Sequence, residues 1–281
     1  QNIALSFYAI FKLNKSYLKS KMVNKTNFVN VSIVFYDNYR NKKLNEDKFN
    51  IFIKLINNLN SNFFIKKILI IDNSPYDLIK NKLLIFRKVN YIFSNKNIGF
   101  AKGHNLSRKY LLNEKYHLIL NPDIVMDNDG LIESCINYLD NNVKTVMVQP
   151  LIIGYPDSEI QFVCKRNPTL FIQVIRGFFR KYINKINFLN EYNDRYEMKN
   201  LAYANSIVES TYLSGAFMFC KTEALDKIDW FDERFFMYLE DADITRRLSK
   251  LGKCVHNPFL KVRHVWARGS RKNNRVYRCI Y

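Results

Sequence analysis

Carboxylates are scarce in this chain. Against 44 Lys and Arg there are 25 Asp and Glu, a net charge of +19, so the expected partners are anionic: nucleic acid, a membrane surface or a phosphorylated small molecule. The chain is also rich in Asn, Lys and Ile, a composition bias that accounts for part of the lysine excess. The five cysteines are an odd number at wide spacing with no CxxC, which excludes a zinc ribbon and fits a reducing compartment. The four histidines form no HExxH or HxH pattern. No segment reaches the ~20 apolar residues that cross a bilayer. The apolar run at 3–11, IALSFYAIF, is far shorter, and no small-residue cleavage site follows it to suggest a signal peptide. The chain opens on Gln1, and residues 1–28 are read as a leader outside the fold. With no Gly/Ser- or Pro-rich linker and no internal repeat, the rest is expected to form one domain over 29–270, with a basic tail at 271–281.

What is present suffices for a core. Hydrophobic residues make up 48% of the 281, and aromatics 15%, which argues against disorder. VSIVF (31–35), KKILIID (66–72), VNYIFS (89–94), YHLILNPD (116–123) and TVMVQP (145–150) read as strands. Helical spacing over 46–59, a helix from the loop NKNIGFAKGHN (95–105) through 112, and another over 129–140 alternate with them. This rhythm predicts an α/β fold with a mostly parallel sheet and helices on both faces. Ligands of such sheets bind beyond the carboxyl ends of the strands, where Asp37, Asp72, Asn97 and Asp123 fall. From about 151 the pattern changes. Residues 158–166, 209–219 and 253–257 read as strands. PTLFIQVIRGFFRKYINKINFL (168–189) is a basic amphipathic stretch with two readings: a surface helix packed by its apolar face, or contact with anionic lipid or a lipid-linked acceptor.

Four pieces carry candidate chemistry, and each alone is weak. Asp72-Asn73-Ser74-Pro75 ends a strand as common turn chemistry. Gly99 and Gly103 let backbone approach a ligand at a helix N-terminus, yet the loop is neither a Walker loop nor a dinucleotide fingerprint. Asp123 in LNPD follows a buried strand, and a hard cation on a diphosphate needs only one or two carboxylates. Finally, FDERFFMYLEDADITRR (231–247) sets Glu240, Asp241 and Asp243 after an aromatic run. As the first turn of a helix these acids suit its dipole; as a carboxylate at an apolar rim, one suits a general base. His264 lies downstream, in a stretch from Lys261 to Arg278 with seven Lys/Arg and no acid, either a solvated tail or a diphosphate clamp.

In this order the segments VSIV-Tyr36, IIDNS, NKNIGFAKGHN, LNPD, RNPTL, RYEM, YLSGAFM, FDERFFMYLEDADITRRL and HVWARGS resemble the family 2 glycosyltransferases of the GT-A fold, in their bacterial rhamnosyltransferase-like branch. The resemblance spans about 31–270. It implies a Rossmann-like GT-A domain with a nucleotide-binding half (29–150) and an acceptor-side half (151–270). It implies a donor-binding set of Tyr36, Asp37, Asp72, Asn97, Gly99, Phe100, Gly103, Asn105, Asn121 and Ser270. Asp123 and His264 would hold a divalent metal, Mg2+ or Mn2+; Ser214, Gly215, Ala216 and Tyr238 would meet the acceptor. Between Glu240 and Asp241 the sequence itself does not choose a base, and the resemblance favours Asp241. The chain departs from the family at Asp37 (usually Asn), Tyr212 (usually Trp) and Asp229-Trp230 (usually a Gly pair); Asn121 in place of a second carboxylate is usual in this branch.

The implied function is inverting transfer of a sugar, rhamnose as the candidate, from a nucleotide-diphosphate donor to a saccharide or lipid-linked saccharide in cell-surface polysaccharide synthesis. The expected place is the cytoplasm, peripheral on the inner face of a bacterial plasma membrane, against its anionic surface. Two rivals stand beside it. A basic nucleic-acid-binding protein fits the charge and interleaved aromatics but leaves the LEDAD acids without a role, so no nucleic-acid partner is expected. A non-catalytic nucleotide-sugar-binding module differs only in activity.

Overall fold

Strand β1 (Val29–Phe35, VNVSIVF) is buried along almost its whole length, as a β-branched run flanked on both edges requires. The computed structural model describes residues 27–265 apart from 40, 41, 112, 129 and 204; residues 1–26, Ser270 and the basic tail lie outside the described residues. Beside β1 run β2 (Ile65–Asp72) and, beyond it, β3 (Val89–Phe93); on its other side is β4 (Tyr116–Leu120), all parallel. The order reverses between β2 and β4 around β1, so the strand ends diverge there and leave the crevice in which α/β sheets bind ligands.

Further strands are β5 (Ile124–Val125), β6 (Thr145–Gly154), β7 (Cys164–Lys165), β8 (Val208–Glu209), β9 (Tyr212–Leu213), β10 (Phe217–Lys221) and β11 (Lys253–His264). The main sheet runs β3-β2-β1-β4-β10-β6-β11-β5, with β8 also on β11. The sheet is mixed: β10 runs antiparallel to both β4 and β6, while β11 returns parallel to β6 and antiparallel to β5 and β8. The expected continuous strands at 158–166 and 209–219 are instead short pieces. Ser210 interrupts the second, its hydroxyl donating to the Lys165 and Tyr212 carbonyls and accepting from the Tyr212 amide.

The strand period places alternate residues on opposite faces. Leu118 and Leu120 join one core with Ile33, Ile68 and Phe219. It is covered by α1 (Glu46–Ser61) and by α4 (Leu131–Asn141); between them in sequence come α2 (Lys80–Leu83) and α3 (Phe100–Ser107). Ile119 faces a second core with Met147, Met218 and Cys254, closed by α3 and by the helix at Glu240–Leu248. Helix α1 shows why such a segment is helical: Phe49, Phe52, Leu55, Ile56 and Leu59 recur on one buried face, and the Asn45 side chain caps the Lys48 amide at 3.1 Å. The remaining helices are α5 (Leu170–Phe178), α6 (Asn187–Tyr196), α7 (Lys199–Ala202), α8 (Thr222–Lys227) and α9 (Glu240–Leu248).

The basic amphipathic stretch becomes α5, a 3-10 turn at Arg180–Lys185, and α6. Ile172, Ile175 and Ile183 are buried, whereas Leu170, Phe171, Phe178 and Phe188 stand in solvent. Only one side of its apolar surface therefore packs on the domain. Asp229 and Trp230, where the resemblance expects glycines, both have positive φ, +56° and +59°. That cost is offset locally: Arg108 pairs with Asp229 at 2.6 Å, and the buried Trp230 indole donates to Asp226 at 2.8 Å.

Candidate active site

Asp123 and His264 are 141 positions apart, and the sheet brings them together. Strands β5 and β11 pair antiparallel, Ile124 opposite His264, and the Val265 amide donates to the Asp123 carbonyl at 2.9 Å. Asp123 Oδ1 then lies 3.0 Å from His264 Nε2, with the Asn121 amide 3.4 Å from the same nitrogen. Gln161, which carried no signal in the sequence, sets the proton on this ring. Its amide nitrogen donates to the His264 carbonyl at 3.1 Å, so its Oε1 faces Nδ1 at 2.9 Å and must accept from it. In the neutral ring Nε2 is left with a lone pair aimed at a carboxylate oxygen. Two acceptors at 3.0 Å call for a cation between them, a proton or a metal. Among the described residues no group of three or more His, Cys, Asp or Glu side chains is arranged to hold a metal. Two protein ligands fit a hard cation that takes its other oxygens from a diphosphate and water.

The donor-side loop is fastened from both sides. Asn97 Oδ1 accepts from the Gly99 amide at 3.0 Å, and Asn73 donates to the Gly99 carbonyl at 3.0 Å. The Phe100 amide donates to the Phe236 carbonyl at 3.1 Å, tying this loop to the aromatic run far along the chain. Gly99 has φ +86°, and a Cβ there would lie 2.5 Å from that same carbonyl oxygen. Only glycine fits. Gly103 serves packing, since a Cβ would sit 2.6 Å from a methyl of Val34 on β1.

Several expected donor residues are engaged elsewhere. Asn105 staples α3 to the acidic stretch, its amide donating to the Phe231 carbonyl at 2.8 Å and accepting from the Phe231 amide at 3.1 Å. Phe100 packs on His104 and Phe231. The buried Asp37 carboxylate accepts from the amides of Tyr39 and Asn45, which makes it a turn residue after β1. Asp72 is fully buried, accepting from the Ser74 amide and the Tyr91 hydroxyl at 2.8 and 2.7 Å; burial, partly offset by these bonds, raises its affinity for a proton. Tyr36, just beyond β1, is exposed. Asn73, which the sequence showed only as part of a turn, and Phe236 are loop anchors: Asn73 acts through its side-chain amide, and Phe236 through its backbone carbonyl, which leaves no residue-type signature.

Ser214–Ala216 links the loop after β4 to the start of α9. The Ala216 carbonyl accepts the Asn121 amide at 3.0 Å, while the Gly215 amide donates to Asp241 Oδ2 at 3.3 Å. Gly215 also leaves room for Phe100, whose ring would stand 3.1 Å from a Cβ. Asp241 Oδ1 accepts from the Ala242 amide at 2.9 Å. Tyr238 and Leu239, both at positive φ, turn the chain sharply into α9, and Tyr238 is exposed. The aromatic run forms no closed wall, since Phe236 is 50% exposed. The two acids differ in setting. Glu240 is buried with Oε2 lacking a hydrogen-bond partner, and burial, then the Asp241 charge, pushes it up to about 8. Asp241 is half-buried; burial raises it too, against the opposing pull of Lys165 and the Gly215 amide. Lys165, another residue missed in the sequence, also lies over the Tyr212 ring at 5.0 Å. The other three histidines, His104, His117 and His256, are buried, His104 against Phe100, and burial lowers their affinity for a proton.

No protein-family model matches the chain. It is 27% identical over 209 residues to Rhamnosyltransferase WbbL of Escherichia coli (strain K12), covering 72% of this chain and 74% of that protein. It is 28% identical over 148 residues to the N-acetylglucosaminyl-diphospho-decaprenol L-rhamnosyltransferase of Mycobacterium tuberculosis, covering 52% of this chain and 46% of that enzyme. Mannosyltransferase PcManGT from Pyrobaculum calidifontis, solved in complex with GDP-Man and Mn2+, superposes with a TM-score of 0.54 at 12% identity over 94% of this chain and 67% of that one. In sequence the chain is rhamnosyltransferase-like, and its fold is that of the GT-A glycosyltransferases.

Proposed function

We propose that this rhamnosyltransferase-like glycosyltransferase moves a sugar, rhamnose as the specific candidate, from a nucleotide-diphosphate donor to a hydroxyl of a saccharide or lipid-linked saccharide, with inversion, in the synthesis of a cell-surface polysaccharide. The observation that carries this reading is the Ser214–Ala216 segment, which hydrogen-bonds to Asn121 beside the Asp123–His264 pair and to Asp241. These bonds tie Asn121, next to that pair, and Asp241 to one three-residue segment, which supports reading a diphosphate site beside a carboxylate base.

In this reading Asp241 takes the acceptor hydroxyl proton as that oxygen bonds to the anomeric carbon. The bond from this carbon to the diphosphate breaks, and its electron pair leaves on the diphosphate oxygen. Burial makes Asp241 a stronger base than a solvated carboxylate. Glu240 stays protonated beneath it, so the two acids do not both ionise. One base, and no facing nucleophile among the described residues, fit a single displacement. Asp123 and His264 would hold the divalent cation, Mg2+ or Mn2+, which when bound stabilises charge on the diphosphate. The loop at Asn97–Gly99 cradles the donor, with Tyr36 at the nucleotide.

The same reading sets the protein on the cytoplasmic face of a membrane. No helix among the described residues is long and apolar enough to cross one. The exposed Leu170, Phe178 and Phe179 beside Lys181 and Lys185 suit an anionic lipid surface. The test is a panel of nucleotide sugars, including a rhamnose donor, with Mg2+ or Mn2+ and saccharide or lipid-linked acceptors. Nucleoside diphosphate should be released with one donor class and the sugar recovered on the acceptor. No transfer from any donor, by protein that still binds nucleotide, would reduce it to a binding module.

A further inference from the structure

Beside α5 lies a pocket of about 390 Å3, lined by Arg166, Asn167, Thr169, Tyr192, Arg195 and Tyr196 among others. It shares no residue with the Asp123–His264 pair or the Asn97–Gly99 loop. Both guanidiniums are exposed, and neither is paired with a carboxylate among the described residues. No carboxylate lines the pocket. Two arginines without a carboxylate partner therefore line one cavity, and the planar fork of each suits phosphate oxygens.

The pocket is one layer of side chains from Asp241. Its wall residues Ile172 and Tyr196 pack in one cluster with Tyr212 and with Ala242, the next residue after Asp241. Lys165, adjoining Arg166, faces Asp241. On its outer side the pocket meets an aromatic shelf. Tyr192, fixed by a 3.1 Å hydrogen bond to Thr169, lies 5.0 Å from Phe171 and 6.3 Å from Phe188, ring to ring. Phe171 and Phe188 are 47% and 62% exposed. The apolar shelf therefore opens onto the anion-binding groups, and the candidate base lies one layer of packed side chains further in.

We propose that this pocket binds the phosphate linker of the acceptor, a sugar joined through a diphosphate to a prenyl chain, with the linker between Arg166 and Arg195 and the start of the chain on Phe171, Phe188 and Tyr192. This rests on the glycosyltransferase reading and adds the acceptor's anchoring site. It also gives the outward-facing Phe171 and Phe188 a role.

The test uses the whole chain and farnesyl diphosphate as probe, titrated by calorimetry with a nucleoside diphosphate and Mg2+ at saturation, so that the donor side is filled. Wild type should bind farnesyl diphosphate more tightly than inorganic pyrophosphate. Arg166→Gln with Arg195→Gln should weaken both about 30-fold or more, from the loss of two charge-assisted contacts, and leave nucleoside diphosphate affinity and melting temperature unchanged. Phe171→Ser with Phe188→Ser should weaken farnesyl diphosphate alone. Unchanged farnesyl diphosphate affinity in the arginine variant, or its displacement from wild type by nucleoside diphosphate, would overturn the proposal. So would a variant that loses binding to anionic phosphatidylglycerol vesicles but not to farnesyl diphosphate, since the arginines would then read lipid headgroups. If wild type bound no nucleoside diphosphate, the glycosyltransferase reading would fall, and arginine-dependent farnesyl diphosphate binding would still support the pocket.

Discussion

Replacing Glu240 with Gln should stabilise the protein by an amount that grows with pH. The side chain is 8% exposed and one carboxyl oxygen has no hydrogen-bond partner. Burial, then the Asp241 charge, raises its pKa from an ordinary 4.5 to about 8. Between those values the folded protein holds a proton that the unfolded chain has released. Stability therefore falls as pH rises from about 4.5 and levels off above about 8. At about 1.4 kcal/mol per pH unit, the cost reaches about 3 kcal/mol at pH 7, and side-chain relaxation and water entry reduce it to about 1–3 kcal/mol. Gln has the same shape and does not titrate. For a domain of this size 1 kcal/mol moves the melting temperature by about 2–4 °C. Glu240→Gln and wild type should melt together near pH 4.5, with the variant about 3–10 °C higher at pH 7.5. Thermal denaturation across pH 4.5–8.5 reads this directly. A gain independent of pH would mean that Glu240 titrates as in water, and a loss at pH 7.5 would mean that its carboxylate is paired.

Asp241→Asn should lower the transfer rate by about 10²–10⁴-fold, the usual worth of a general base, while calorimetric donor affinity stays near wild type; near-normal transfer would move the base to Glu240 or remove the carboxylate mechanism. Gln161→Leu releases the Nδ1 proton of His264 from its acceptor and should cost about 10–100-fold in metal-dependent nucleoside diphosphate affinity, with Asp123→Ala costing at least as much; affinities that depend on metal as in wild type would count against a shared site. Gly99→Ala meets both the positive φ and the Phe236 carbonyl, so it should destabilise by about 2–4 kcal/mol and weaken donor binding, as denaturant unfolding and calorimetry would reveal.

The sequence by itself determined the alternation of strands and helices through β4, because the period of a buried strand and of an amphipathic helix is written locally in VSIVF, KKILIID and the Phe49–Leu59 stripe. The ordered segments also carried the likeness to the GT-A glycosyltransferases, and Gly99 could be singled out because a backbone demand selects one residue type. Only the tertiary structure decided that β10 enters antiparallel between β4 and β6, since nothing in FMFCK states its direction. It supplied the physical link between Asp123 and His264, which the resemblance had only paired, through a β5–β11 contact that joins residues 141 positions apart, and showed that Gln161 orients the ring. It separated Glu240 from Asp241, adjacent acids that look alike in sequence, by turning one into the core and the other toward the Gly215 amide. It also showed Asn105 and Asp37 satisfied by backbone groups. Such partnerships depend on which distant atoms packing brings within 3 Å, and no local period or motif encodes that.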